Sequence, residues 1–369
     1  VIYLDHAATA HPRLQSVREA LVQTCDSGNP GRSGHGLGLE ASRFIFETRL
    51  KLAELLETSG EDKLIFTSGA THALNKILRG ILTSGDLVFS TNLEHNAVAR
   101  VLNQLKEKQQ VKWEVLDAVD GNFSDSLCKR IKEGVVPQLV VMNHVSNVTG
   151  VRQDLSEVRS VCEAQGISLV IDAAQSFGHE EIKLKQNEAI CFSAHKGLMG
   201  PMGLGVLAMG DKINVSPVEF GGTGSHSESL EMPDSFPDLM EVGTPNVPAI
   251  AAFGAALDSL GGLNQSQIEL QELRSYLHSS LSKIPALNLF SPEQGGSAIS
   301  FDLSGKDLGN FAHLLWSKYQ ICCRVGLHCA PLAHQSLGTY PNGTLRISLG
   351  KSSKQSDCDK FLEALTSEL

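Results

Sequence analysis

Lys196 follows a short apolar run, Ala189-Ile-Cys-Phe192, through Ser193-Ala-His195, and glycine-rich Gly197-Leu-Met-Gly-Pro-Met-Gly-Leu-Gly205 comes after it. A lysine delivered at the end of a buried strand is poorly explained as a solvated charge. Upstream, a second apolar run, Leu169-Val-Ile171, ends in Asp172-Ala-Ala-Gln175 and delivers a carboxylate in the same way. An amine shielded from water forms a Schiff base with an aldehyde, and a carboxylate keeps a pyridine nitrogen protonated. Taken singly, Lys196 would be surface charge and Asp172 a helix cap. Together, on neighbouring strand ends, they are what a pyridoxal phosphate (PLP) site requires.

Other residues extend this chemistry. Gly69-Ala-Thr71 opens a helix directly after the strand-like Leu64–Thr67, and a helix N-terminus favours a phosphate. The hydroxyls of Thr71 and Ser193 and the imidazole of His195 would complete the cradle; the plainer alternative is an N-cap turn. His95 offers a flat face for a cofactor ring, or is simply a satisfied polar side chain. Gln175 would reach the cofactor's phenolic oxygen, or be a surface amide.

A second reactive stretch is Arg324-Val-Gly-Leu-His-Cys329-Ala-Pro-Leu-Ala-His334. Arg324 and His328 near Cys329 would favour a thiolate, hence a nucleophile. Metal ligation by His328, Cys329 and His334, or an inert buried cysteine, are the competing readings. Arg346 is suited to bidentate capture of a carboxylate, or to a salt bridge between domains.

The elements that must hold these groups form a regular series. Strand candidates at Leu64–Thr67, Leu87–Ser90, Lys112–Leu116, Leu139–Met142, Ser168–Ile171, Ile190–Ser193 and Leu204–Met209 mostly alternate with helical stretches. These include Ala70–Leu82, Ala97–Lys108 and Asp154–Ala164. That alternation predicts a mostly parallel seven-stranded sheet covered by helices on both faces. Ligands of such sheets sit beyond the carboxyl ends of the strands, where Ser68–Thr71, Glu94-His95, Asn143-His144, Asp172 and Ser193–Lys196 fall. The spacing predicts strands also at Leu287–Phe290, Ala298–Phe301, Ile321–Arg324 and Thr344–Leu349, in a smaller α+β domain. Residues 13–246 read as the large cofactor-binding α/β domain, and residues 1–12 with 247–369 as the small one.

Bulk properties narrow the function classes. A chain of 369 residues with 41% hydrophobic and 20% charged residues is ordinary for a globular protein of two domains. Its formal net charge of −10 disfavours nucleic acid as a partner. No apolar stretch has the length of a membrane span. Eight cysteines without framework spacing fit a reducing compartment, so a cytoplasmic location is expected.

These pieces resemble the class V aminotransferase family, and within it the cysteine desulfurases and selenocysteine lyase-like enzymes. The matching segments are Tyr3-Leu-Asp-His-Ala-Ala-Thr9, Phe66-Thr-Ser-Gly-Ala-Thr71, Glu94-His95-Asn96 and His144-Val-Ser-Asn-Val-Thr-Gly150. They continue through Asp172–Gln175, Ser193–Lys196, Gly243-Thr-Pro-Asn246 and Arg324-Val-Gly-Leu-His-Cys-Ala330, spanning nearly the whole chain. The last is similar to the group whose catalytic cysteine sits in a short ordered loop. Two departures stand out: Gly350-Lys-Ser-Ser353 replaces the family's Tyr-Asn-Thr, and Ala70-Thr71 replaces Thr-Thr.

The resemblance implies PLP-dependent transferase fold type I, the aspartate-aminotransferase-like fold, and a homodimer with sites at the interface. It implies that Lys196 holds PLP covalently and that His95 stacks on the ring. Asp172 would pair with the ring nitrogen and Gln175 with the phenolic oxygen. Ala70, Thr71, Ser193 and His195 would surround the phosphate, with Thr244 reaching over from a second subunit. Asn147 and Arg346 would hold the substrate carboxylate, and Arg32, His35 and Arg324 would line the entrance. The expected reaction converts cysteine to alanine and leaves the sulfur on Cys329 as a persulfide, for a possible acceptor protein. Selenocysteine lyase or cysteine sulfinate activity, and a non-catalytic PLP-binding scaffold, are the alternatives; no metal and no membrane are expected.

Overall fold

The computed structural model describes residues 1–31, 34–109, 111–260 and 263–369. Strand β1 (Ile2–Tyr3) is followed by helices α1 (Gln15–Gln23) and α2 (Gly36–Leu56). Next come β2 (Leu64–Thr67), α3 (Ala70–Ile81), β3 (Leu87–Thr91), α4 (Asn96–Gln109), β4 (Lys112–Leu116) and α5 (Phe123–Lys132). The series continues with β5 (Leu139–Asn143), α6 (Leu155–Gln165), β6 (Ser168–Asp172), β7 (Glu188–Ser193) and β8 (Gly205–Met209). After an irregular stretch come α7 (Val247–Asp258), α8 (Leu263–Leu281), β9 (Leu287–Leu289), β10 (Ala298–Leu303) and α9 (Leu308–Tyr319). The chain closes with β11 (Ile321–Cys322), β12 (Arg324–Gly326), α10 (Pro331–Ser336), β13 (Thr344–Ser348) and α11 (Gln355–Glu368).

The seven strands expected from the alternation form one sheet, in the order β2-β8-β7-β6-β5-β3-β4. Only β8 runs against its neighbours. Its strands are continuous apolar runs because both faces are covered. Phe66, Val140, Ile171, Ile190 and Val206 point into a core shared with α1, α2, α5, α6 and α7. Ile65, Val141, Val170, Cys191 and Leu207 point into the opposite core, under α3 and α4. The period of two along each strand sorts the side chains between these layers.

A separate four-stranded sheet, β12-β13-β10-β9, has its own core with α8, α9 and α11. Here two expectations change. The single strand expected over Ile321–Arg324 is two: β11 pairs in parallel with β1, and β12 pairs with β13. Helix α7, expected with the small unit, buries Ile250, Ala252 and Phe253 in the core of the large sheet. Helix α2 starts at Gly36, where His35 Nδ1 caps it by accepting from Gly38 N–H at 3.2 Å. Helices α5 and α10 are not announced by periodicity; α5 buries only Phe123, Ser124 and Leu127.

Beneath the strand ends the backbones approach closely. A Cβ on Gly205 would come within 2.5 Å of Gly69 backbone atoms and 2.8 Å of the Phe192 carbonyl oxygen. Only glycine lets β8 pass behind the turn that opens α3. Gly205→Ala is therefore expected to cost about 1–3 kcal/mol of stability. Urea unfolding checks this; an unchanged midpoint would contradict it.

Candidate active site

Five strands, β2, β3, β5, β6 and β7, end at one edge of the large sheet, and a cavity of about 140 Å³ opens there. Ala70 and Thr71 line it from the start of α3, His95 from the turn after β3, and Asp172 and Gln175 from the end of β6. Ser193, His195 and Lys196 line it from the end of β7, and Asn147 from the loop after β5. Thr244 does not: it is exposed beside a different cavity, with Phe66, Ser68 and Gly243. His35 is exposed at the cap of α2, and Arg32 lies outside the described residues.

Burial sets the protonation states. Desolvation lowers the Lys196 amine to about 8; Asp172 opposes that shift, while Arg346 and Arg324 add to it. Burial pushes the Asp172 carboxyl up, against the Ala174 N–H that Oδ1 accepts at 2.9 Å and the nearby Lys196. The His95 imidazole falls to about 4, through burial and then the charges of Lys196 and Arg346. Its Nδ1 accepts from the Ala97 N–H at 3.0 Å, leaving the proton on Nε2 of the neutral ring. His195 is likewise lowered to about 4, by burial and by Lys196 and Arg13. Its Nδ1 is 2.9 Å from Thr9 Oγ1. Ser193 Oγ accepts from the first N–H of α3, Ala70 N, at 2.9 Å. The hydroxyl proton of Ser193 stays available for an anion. Gln175 Nε2 donates to the Ala7 carbonyl at 2.9 Å.

The cysteine loop is tied to this cavity. Asn147 Nδ2 donates to the His328 carbonyl at 2.7 Å, and Asn96 N–H donates to the Cys329 carbonyl at 2.7 Å. His328 and Cys329 both have left-handed backbones, with φ of 47° and 57°, and Cys329 is exposed. One expectation fails here. His328 does not favour a Cys329 thiolate, because it is buried and lowered to about 2, chiefly by desolvation. Its Nε2 donates to the Thr344 carbonyl at 3.1 Å, so the neutral ring serves the loop's fold. Lys196, Arg324 and Arg346 are the cations within electrostatic reach of the cysteine loop. Among the described residues, no group of three or more His, Cys, Asp or Glu is placed to hold a metal ion.

Arg346 is 3% exposed. Its Nη1 donates to the Asn147 carbonyl at 2.8 Å, its Nη2 to Asp5 at 3.0 Å, and its Nε is buried without a partner. Asn147 Oδ1 is also buried without a partner. Arg324 pairs with the same Asp5, its Nη2 lying 2.9 Å from Oδ2. The family model described as "Aminotransferase class-V" matches residues 2–361.

The chain belongs to the class V aminotransferases. A probable cysteine desulfurase of Methanothermobacter thermautotrophicus is 30% identical over 362 residues, covering 94% of this chain and 90% of the relative. One from Haemophilus influenzae is 30% identical, covering 100% and 86%. The apo structure of a cysteine desulfurase from Thermococcus onnurineus superposes with a TM-score of 0.91 at 26% identity, covering 100% of this chain and 94% of that one. Escherichia coli CsdA, a cysteine desulfurase in an S-sulfonic acid form, gives a TM-score of 0.88 at 28% identity, covering 99% and 94%. The architecture is fold type I of the PLP-dependent transferases.

For a class V aminotransferase the donor set fits PLP: an amine of lowered basicity, a buried carboxyl on the neighbouring strand and a helix N-terminus. Two buried carboxyls had no role assigned from the sequence. Asp5 requires the pairing of the two chain ends, which no local pattern shows. Glu94 sits beside His95 and is fully buried. Its Oε1 accepts from Thr91 Oγ1 at 2.6 Å and Asn143 N–H at 2.9 Å, and Oε2 has no partner. Burial raises this carboxyl to about 8. The folded protein therefore holds a proton that the unfolded chain releases near pH 4.5, and stability from this group falls as pH rises through that window. Glu94→Gln keeps an acceptor for Thr91 and Asn143 but does not titrate. The gain in unfolding free energy of E94Q over wild type is expected to grow from pH 5 to pH 8.5 in urea titrations; a constant difference would contradict this.

Proposed function

We propose that the protein is a PLP-dependent cysteine desulfurase that releases alanine and retains the substrate sulfur on Cys329. The observation that carries this is one cavity holding Lys196 and Asp172, tied through Asn147 to the His328 carbonyl and so to the loop of the exposed Cys329. The names of the relatives and of the superposed structures support the same reading.

In this proposal Asp172 would keep the ring nitrogen of PLP protonated, Gln175 would hold the phenolic oxygen and His95 would stack on the ring. Ala70, Thr71, Ser193 and neutral His195, at the N-terminus of α3 and the end of β7, would hold the phosphate. Bound PLP supplies the electron sink for negative charge at the substrate Cα. Lys196, its amine lowered to about 8, takes the Cα proton near neutral pH and returns a proton to Cα before alanine leaves. Arg346 and Asn147 hold the substrate carboxylate; the unpartnered Arg346 Nε and the second N–H of Asn147 Nδ2 are the donors left for it. The Cys329 sulfur attacks the substrate sulfur, forming an S–S bond as the C–S bond breaks. The released electron pair returns to carbon, which takes a proton to become the methyl group of alanine. Arg324, 52% exposed along its side chain, is read as lining the entrance.

The reading extends to a homodimer. Leu39, Phe46 and Leu50 form an exposed apolar stripe on α2, and Phe46 lines the same groove as Thr244. A second copy covering that stripe would bring Thr244 toward its partner's phosphate site. The exposure of Cys329 suits transfer of sulfur to an acceptor protein, and eight free thiols suit the cytoplasm. No helix among the described residues is long and apolar enough to cross a membrane. We read residues 13–246 as the large PLP-binding unit and 1–12 with 247–369 as the small one, with α7 packed against the large unit.

Alanine release from cysteine and from selenocysteine tests the proposal. Cys329→Ala is expected to lower cysteine turnover on the order of 100-fold or more, the scale of removing a reacting group. Selenocysteine turnover should survive, because the weaker carbon–selenium bond can break without a thiol. Equal turnover of cysteine by wild type and C329A would remove Cys329 from the reaction. A PLP absorbance band with no alanine from either amino acid would favour a non-catalytic scaffold.

A further inference from the structure

Asp5 leaves β1 through a bridge to Ser348, and it is 8% exposed. One oxygen, Oδ1, accepts from Arg346 Nη2 at 3.0 Å. The other, Oδ2, accepts from Arg324 Nε at 3.1 Å and Nη2 at 2.9 Å. Asp5 thus occupies the bidentate edge of Arg324, while on Arg346 it takes one terminal nitrogen and leaves Nε without a partner. Two guanidinium groups against one carboxylate leave a single positive charge in excess. That is enough for one substrate carboxylate.

We propose that Asp5 sets the charge selectivity of the substrate pocket, admitting amino acids with an uncharged thiol side chain and disfavouring those whose side chain carries a carboxylate or sulfinate. The inference rests on the reading of Arg346 as the substrate-carboxylate receptor. A side-chain sulfinate or carboxylate needs a cation, and Arg324, read as lining the entrance, already has its fork filled by Asp5. It would also meet the negative charge of Asp5 in partly buried surroundings, where Coulomb repulsion exceeds its value in water. A purely structural role exists for comparison: Asp5 compensates the buried charge of Arg346. In that case its removal lowers stability and weakens every amino acid ligand alike.

The test reads binding rather than turnover. PLP-loaded wild type, Asp5→Asn and Arg324→Gln are titrated with alanine and with aspartate, following the visible absorbance of the cofactor. Wild type is expected to bind alanine more tightly than aspartate. In D5N the ratio of the two dissociation constants should shift about tenfold toward aspartate, the scale of one charge contact. In R324Q, which keeps Asp5 and loses a half-exposed cation, the ratio should shift toward alanine; this carries the test if D5N does not fold. Equal changes for both ligands in either variant would overturn the proposal. Failure of wild type to release alanine from cysteine would strike the desulfurase reading instead, since these titrations need no turnover.

Discussion

The site depends on the adjacency of β6 and β7. Their register pairs Ile171 with Ile190 and Asp172 with Cys191, so a carboxyl and a lysine-bearing turn emerge side by side at one sheet edge. Backbone hydrogen bonds hold this geometry whether or not a ligand is bound, so preorganisation comes from the sheet and not from the side chains. The antiparallel β8 then fixes the other flank. Ser193 pairs with Gly205, whose missing side chain lets the phosphate turn lie against the same strand end.

Around that edge the protein controls charge by removing it. His95, His195 and His144 are all lowered to about 4, burial being the largest cause in each. Near neutral pH they act as shaped, neutral donors and surfaces. Glu94 is held uncharged by the same desolvation, so it does not compete with Asp172 for influence on the cavity. The charges that persist are the ones with work to do: Lys196 near its transition, and the arginine pair offset by Asp5. A buried arginine without that carboxylate would be costly, which explains why Asp5, just after β1, is drawn to Ser348 and Arg346 of β13.

Much of this was legible in the sequence because the large sheet is buried on both faces. Continuous apolar runs ending in Asp172, Ser193 or Thr67 announce strands and their carboxyl ends together. What escaped has a common cause. The split between β11 and β12 at Cys323 and the Asp5 triad both depend on contacts that no local window contains. His328 is the clearest case. Its place beside Cys329 suggests an electrostatic partner, whereas the left-handed backbone turns the ring onto Thr344. Neighbours in sequence need not be neighbours in chemistry where the chain reverses direction.

The central claim is that Lys196 is a partly neutral amine facing a cofactor held by Asp172. Treating the protein with PLP, reducing with borohydride and mapping the pyridoxyl group by peptide mass spectrometry tests it directly. The account predicts one adduct, on the peptide containing Lys196, with labelling that rises through a midpoint near about 8 as pH increases. Label spread over surface lysines with none on Lys196, or a midpoint at the ordinary lysine value, would contradict it.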